Sequence, residues 1–199
     1  MIFIIWKTTM SEKLRRHIEE ITKLTDGEFE YVRSHFTYRK FKKNQYVIQE
    51  GNYVKNDYFV LSGLMKSSHT DRKGKEHIIL FATENWWVSD PQAYHDQIKA
   101  TLNVVCLEDC ETLYISLEKR EKLCTEMRQM EYFFRKKTTV GYIASQKRIL
   151  SLISYTTKER YTYLLQQYPD LLQRVPKSLI ASYLGVTRET LSRLTSQHP

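Results

Sequence analysis

The sequence predicts an α+β protein: a jelly-roll-like β-roll (a double-stranded β-helix) in mid-chain, one long helix after it, and a helix-turn-helix at the end. Three observations carry this. Between about residues 37 and 116, β-branched and aromatic residues gather in short runs separated by turn formers, the spacing of an all-β roll or sandwich. From residue 117 to about 153, Leu123, Met127, Met130, Phe134, Gly141 and Ala144 follow a 4-3 alternation, broken by Lys137, as expected of a helix with a seam along it. In residues 176–196, PKSLIASYLGVTRETLSRLTS, two short helical patterns meet at Gly185, where a tight turn between crossed helices needs a residue that tolerates positive φ.

Taken in order, the chain opens on MIFIIWKTTM. This apolar run is too short to span a membrane, and its positive charge follows the run, unlike a secretory signal; Met10 reads as an alternative start. Ser11 is placed to cap a helix carrying Leu14, Ile18 and Ile21 on one face. Thr25 and Glu28 have capping-box spacing ahead of Phe29, Val32 and Phe36. The strand runs are QYVIQ, DYFVLSG, EHIILFA, LNVVCLE and ETLYIS, with turns at residues 50–52, 62–63 and 71–76. On the long helix, the 4-3 stripe is placed to pair with a second copy or equally to pack on the chain's own β-roll, and is expected to do both along its length; Phe133, Val140 and Ile143 are candidates for packing within the chain. Thr156 and Glu159 form another capping box, Pro169 ends that helix, and Pro176 suits the start of the next. Residues 159–175 read as helical, with no alternating strand pair.

In the closing motif Ile180, Ala181 and Leu184 share one face of the first helix, and Leu191 and Leu194 one face of the second. Ala181 is small where the helices cross, Val186 fills the angle, and Thr187 is placed to cap the second helix. Arg188, Glu189, Ser192, Arg193 and Ser196 are then left pointing outward. That is the pattern of a helix whose first residues meet base edges in the major groove. An ordinary helical hairpin with a solvated polar face is the plainer reading; the turn glycine, the small alanine and the exposed arginine pair together favour DNA.

Composition supports this without deciding it. The 199 residues carry a net charge of +8, and from Lys147 onward eight Lys/Arg stand against three acids, which favours phosphate contact. Three cysteines, Cys106, Cys110 and Cys124, read as reduced, buried thiols of a cytoplasmic protein. His69, His77 and His95 are isolated, without the His-x-His of a metal cupin. No G-x-S-x-G, P-loop or HExxH occurs, so the chain is not expected to be an enzyme.

GVTRETLSRL resembles the recognition segment of the Crp/Fnr family of bacterial transcription regulators, and ERYTYLLQQYPDLLQRVPKSLIASYLG is similar to a short, compact subgroup of it. Gly51, the segment YFVLSG at 58–63 and Gly74-Lys75-Glu76 resemble that family's cyclic-nucleotide-binding β-roll. The resemblance implies a sensor domain over 11–116, a dimerisation helix over 117–153 and a DNA-binding domain over 154–199. It implies double-stranded DNA, a second copy of the chain and RNA polymerase as partners, with no membrane. Arg188, Glu189, Ser192 and Arg193 would read bases, Arg suiting guanine and Glu cytosine. Thr187, Thr190, Lys177 and Ser178 would touch phosphates. Winged family members carry strands flanking the motif; here the wing is expected to be reduced or absent. The oxygen-sensing branch uses an N-terminal cysteine cluster, and no cysteine precedes Cys106.

The same resemblance locates the effector pocket and disfavours cyclic AMP. The family's cassette reads roughly F-x-G-E-L and later R-S-A. Aligned without gaps, this chain offers Trp86-Trp87-Val88-Ser89-Asp90, then Lys99-Ala100-Thr101. Val88 replaces the glycine, Ser89 the ribose-binding Glu, Lys99 the phosphate-binding Arg and Ala100 the Ser. Lys99 keeps a charge without the bidentate fork. Asp90 could serve for the Glu only with a register shift that brings Pro91 along. No cofactor is expected; the pocket is vacant, filled by Trp86 or Trp87, or adapted to another effector. The alternative to a DNA-binding regulator is a dimeric β-roll module for a small molecule or protein, with an idle helix-turn-helix.

Overall fold

The protein's structure is a computed structural model that describes residues 2–196, with side chains described for 11–195. The apolar run at 1–10, the side chain of Ser196 and the tail at 197–199 therefore lie outside the described side chains. Two helices, α1 (Ile2–Glu19) and α2 (Asp26–Ser34), precede strands β1 (Thr37–Phe41), β2 (Tyr46–Ile48), β3 (Asn56–Ser62), β4 (Met65–Thr70), β5 (Glu76–Ala82) and β6 (Trp87–Val88). The short helix α3 (Pro91–Asp96) follows, then β7 (Asn103–Cys106) and β8 (Cys110–Ser116). The remainder of the described chain is helical: α4 (Leu117–Glu126), α5 (Arg128–Ser154), α6 (Thr157–Gln167), α7 (Leu171–Arg174), α8 (Lys177–Leu184) and α9 (Arg188–Ser196).

The strands form two four-stranded sheets, ordered β1-β8-β3-β6 and β2-β7-β4-β5, the jelly-roll-like α+β architecture expected. Each quoted apolar run contains a strand. β1, β4 and β6 were not signalled; for β4 the reason is physical, since Ser67 and Ser68 are fully buried and hydrophobicity does not mark that strand. Both capping boxes form. Glu28 N–H donates to Thr25 Oγ1 while Thr25 N–H donates to the Glu28 carboxylate, and Thr156 and Glu159 repeat the arrangement. Ser11 lies inside α1, which begins earlier than the capping signal suggests.

By backbone proximity the chain divides into two compact units, Met1–Ser67 with Phe81–Thr139, and Ser68–Leu80 with Val140–Pro199. The core of the first unit joins Leu14 and Ile18 of α1, Phe29 and Val32 of α2, Phe59 and Leu61 of β3, Leu113 and Ile115 of β8, and Leu123, Met130, Phe133 and Phe134 of α4 and α5. Each such side chain stabilises the fold by about 1.5–3 kcal/mol relative to exposure.

This core bears on two expectations for the stretch 117–153. It is two helices, interrupted at Met127, whose backbone is extended (φ −132°, ψ 107°). Moreover, of the two covers open to the stripe, a second copy or the chain's own β-roll, Leu123, Met127, Met130 and Phe134 take the second: they are buried within their own unit. Phe133 packs inward as expected, but Val140 and Ile143 are exposed. The periodicity of the stripe was legible; what covers it was not.

The first unit also buries His17, 4 % exposed, under Phe59 at a ring separation of 4.5 Å. Trp87 Nε1–H donates to His17 Nε2 at 3.2 Å. Burial, with Lys137 nearby, pushes the imidazole pKa down to about 4, so it is neutral at physiological pH.

In the second unit α5 continues from Val140 with apolar residues facing outward, among them Val140, 59 % exposed, and Ile153, 74 %. The helices α6 to α9 follow, with the residues 68–80 of the β4–β5 hairpin. Among the described residues no strand occurs after Ser116, in line with the expected lack of a wing.

Candidate functional site

Helices α8 and α9 form the helix-turn-helix. α8 ends at Gly185, which adopts φ 69°, and Val186 N–H donates to Ala181 O at 3.0 Å. Ile180, Ala181 and Leu184 are buried on α8, and Leu191 on α9. Thr187 caps α9 by accepting from Thr190 N–H at 3.2 Å, and its hydroxyl also meets that of Thr190 at 3.0 Å. With Leu191 fixed inward, Arg188, Glu189, Ser192 and Arg193 lie on the exposed side, as do Thr187, Thr190, Lys177 and Ser178. Backbone N–H at the helix start, the Thr187 hydroxyl and the two arginines hold the Glu189 carboxyl below its usual range. It is therefore an anion, tied in part to capping α9.

Sequence reasoning missed a support of this motif. The Arg148 guanidinium lies 3.7 Å from the Tyr183 ring centroid and donates to Tyr183 O near the end of α8. A cation on the last carbonyls of a helix is favourable. An arginine on a long helix carries no sequence mark of that role.

The β-roll cassette is arranged quite differently. Asp90 is 2 % exposed and caps α3, with Pro91 at its first position. Its Oδ1 accepts from Ala93 N–H at 3.1 Å. Its Oδ2 accepts from Thr101 N–H at 2.8 Å, the Thr101 hydroxyl at 3.1 Å and Leu102 N–H at 3.2 Å. One carboxylate thus engages the donors where the two cassette segments meet. Ser89 is buried and donates to Asn56 O at 3.2 Å; Ala100 is buried and its N–H donates to Asn52 O at 2.8 Å. Val88 is buried, Lys99 is exposed, and Trp87 packs with Phe36, Phe59, Phe133 and Phe134. The structure brings Thr101 against Asp90, which the alignment treated as one residue out of register. The sequence did hold a signal for it: Asp followed by Pro at a helix start.

A β-roll, a long helix and a helix-turn-helix follow one another in this chain. Residues 38–127 match the profile of the cyclic nucleotide-binding domain. The chain is 28% identical over 111 residues to the transcriptional regulatory protein Btr of Bordetella pertussis, a match covering 50% of this chain and 46% of that protein. In structure it is similar to FixK2 of Bradyrhizobium japonicum, with TM-score 0.71 and 21% identity over 81% of this chain and 83% of that one. It is also similar to the c-di-GMP-responsive global regulator CLP of Xanthomonas campestris, with TM-score 0.70 and 15% identity over 87% and 91%. Residues 38–127 thus match a cyclic nucleotide-binding domain, and the fold of the chain is similar to those of FixK2 and CLP.

Proposed function

We propose that the protein is a homodimeric, sequence-specific DNA-binding regulator that acts in the cytoplasm and does not answer to cyclic AMP. The observation that carries the DNA reading is the division of α9: Leu191 is buried against α8, while Arg188, Glu189, Ser192 and Arg193 face solvent behind a capped helix start. Arginines there suit guanine edges, and Lys177, Ser178, Thr187 and Thr190 suit phosphates that fix register. RNA polymerase is the further partner that this reading implies.

Pairing is supported by the outward face of α5, on a different set of residues from the buried stripe. Val140, Ile143, Leu150 and Ile153 fall at three- and seven-residue intervals, all exposed, and a second copy would cover them as a coiled seam. Asp90 supports the reading without cyclic AMP, because a phosphate entering the cassette would meet a buried carboxylate already holding the N–H donors.

Selection of bound duplexes from a random pool tests the reading. The expected product is a palindrome with half-sites about one helical turn, ~10 bp, apart. Failure to enrich any sequence, with weak retention on heparin, would leave the β-roll binding module with an idle motif as the better account.

A further inference from the structure

The β4–β5 hairpin belongs to the same compact unit as the helix-turn-helix: residues 68–80 group with 140–199. A direct bond marks the association, from Ser182 Oγ on α8 to Glu76 O at the start of β5, at 2.8 Å. The hairpin tip is residues 71–76, DRKGKE. Its turn is fixed by its own groups. Asp71 Oδ1 accepts from Lys73 N–H at 2.8 Å and Lys75 N–H at 3.0 Å, and Gly74, at φ 78°, donates to Asp71 O at 2.9 Å.

Both carboxylates of the tip turn back into the hairpin. Asp71 Oδ2 meets His77 Nε2 at 2.8 Å, and Glu76 Oε1 accepts from the Ser68 hydroxyl at 2.7 Å. Arg72, Lys73 and Lys75 are exposed, and none is in an ion pair among the described residues. The unit as a whole carries eleven Lys/Arg against five Asp/Glu, six of the chain's net eight positive charges.

We propose that the hairpin tip is a second DNA-backbone contact, in which Arg72, Lys73 and Lys75 engage phosphates flanking the bases read by α9. This rests on the DNA reading above and extends it. The chemistry is that of a phosphate chain: three cations on a rigid turn, bonded to a motif that among the described residues has no strands of its own to reach the flanking backbone. Lys75 is one residue from the contact with α8, so the tip is carried with the motif. A protein partner with an acidic surface is the competing occupant.

The test is the full chain with Arg72→Gln, Lys73→Gln and Lys75→Gln together, on a duplex selected by the parent and on a scrambled one, over 50–200 mM salt. Each phosphate contact contributes about 0.9 to the log–log salt slope. The triple variant should lose up to about 2.7 of slope per engaged hairpin, and so about 40-fold less affinity than the parent across that range. Preference between the two duplexes should stay as in the parent, whereas Arg188→Ala should reduce preference. An unchanged slope in a folded triple variant overturns the proposal. So does an unchanged slope with lost transcription, which would assign the tip to a protein. A parent that binds neither duplex with salt dependence overturns the DNA reading itself.

Discussion

The cassette and α9 are the two places where the sequence points to a ligand, and their polar groups are disposed in opposite ways. In the cassette, Asp90 gathers three backbone N–H groups and a hydroxyl, Ala100 and Ser89 bond to neighbouring carbonyls, and Trp87 is drawn into the aromatic core. On α9 the arginines, Glu189 and Ser192 are held outward by a helix whose apolar side is buried. The same contrast runs along α5, with Met130, Phe133 and Phe134 inward and Val140, Ile143 and Leu150 outward. Groups committed inward govern stability, and groups left outward govern association. Substitutions on the two sides should therefore be read by different instruments.

The largest effect should come from the inward side of α5. Met130→Glu places a charge in a fully buried position and should cost about 4 kcal/mol or more, seen as a large drop in the urea midpoint. Ile143→Glu with Leu150→Glu should leave that midpoint in place and give monomers in sedimentation. Monomers with no loss of stability from Met130→Glu would reverse the assignment of the two faces.

Next is Asp90→Ala, which removes a cap and strands buried N–H groups. About 3 kcal/mol of destabilisation is expected. A loss below ~1 kcal/mol, well under the desolvation cost of unpaired donors, accompanied by new calorimetric binding of cyclic AMP to the parent, would show that the carboxylate gives way to ligand and would break the comparison.

His17 gives a pH-dependent effect of similar or smaller size. Its folded pKa, about 4, lies below the unfolded value of 6.5. Between those values the unfolded chain binds more protons, so its contribution is complete above about pH 7 and declines as pH falls toward 4, by up to ~3 kcal/mol. Asp57, which burial raises to about 6 despite Arg120 at 3.4 Å, acts in the opposite sense, disfavouring the fold as pH rises over 4–6. The parent's curve alone therefore understates His17. The difference between parent and His17→Gln unfolding free energies, at pH 7 and pH 4.5, isolates it; no pH dependence in that difference would count against a neutral buried imidazole.

The smallest effects on the fold belong to α9 and its approach. Arg188→Ala should leave thermal stability alone, cost about 1–3 kcal/mol on a selected site and relax one base pair per half-site. Lys177→Ala should weaken all sequences alike and lower the salt slope by about 1. Equal loss on all sequences from Arg188→Ala would make it a phosphate contact instead.

Much of the fold was legible because its signals are local. Thr25 with Glu28, Thr156 with Glu159, and the glycine of the helix-turn-helix each fix a helix boundary through neighbours in sequence. What was not legible depends on contacts far along the chain. Met127 interrupts the helix without a proline or glycine to announce it, and the 4-3 pattern runs through the break. An apolar stripe announces burial and leaves open whether the cover is the same chain or a copy. Asp90 shows the same limit, since its Pro91 neighbour signals a cap while Thr101 and Leu102, which complete its shell, come from another segment. The grouping of residues 68–80 with the C-terminal helices has no sequence signature at all.

The saturated carboxylate at Asp90 bears on what the proposed regulator would measure. On the proposed reading, a pocket whose donors are already spent would not report the abundance of a nucleotide. On the proposed dimeric reading, the remaining variable is the number of copies of the chain. While most chains are single, the population of pairs grows with the square of their concentration, so a twofold rise in synthesis becomes nearly a fourfold rise in molecules able to hold a palindrome. Control would then pass from a metabolite to dosage, set by how fast the chain is made and destroyed.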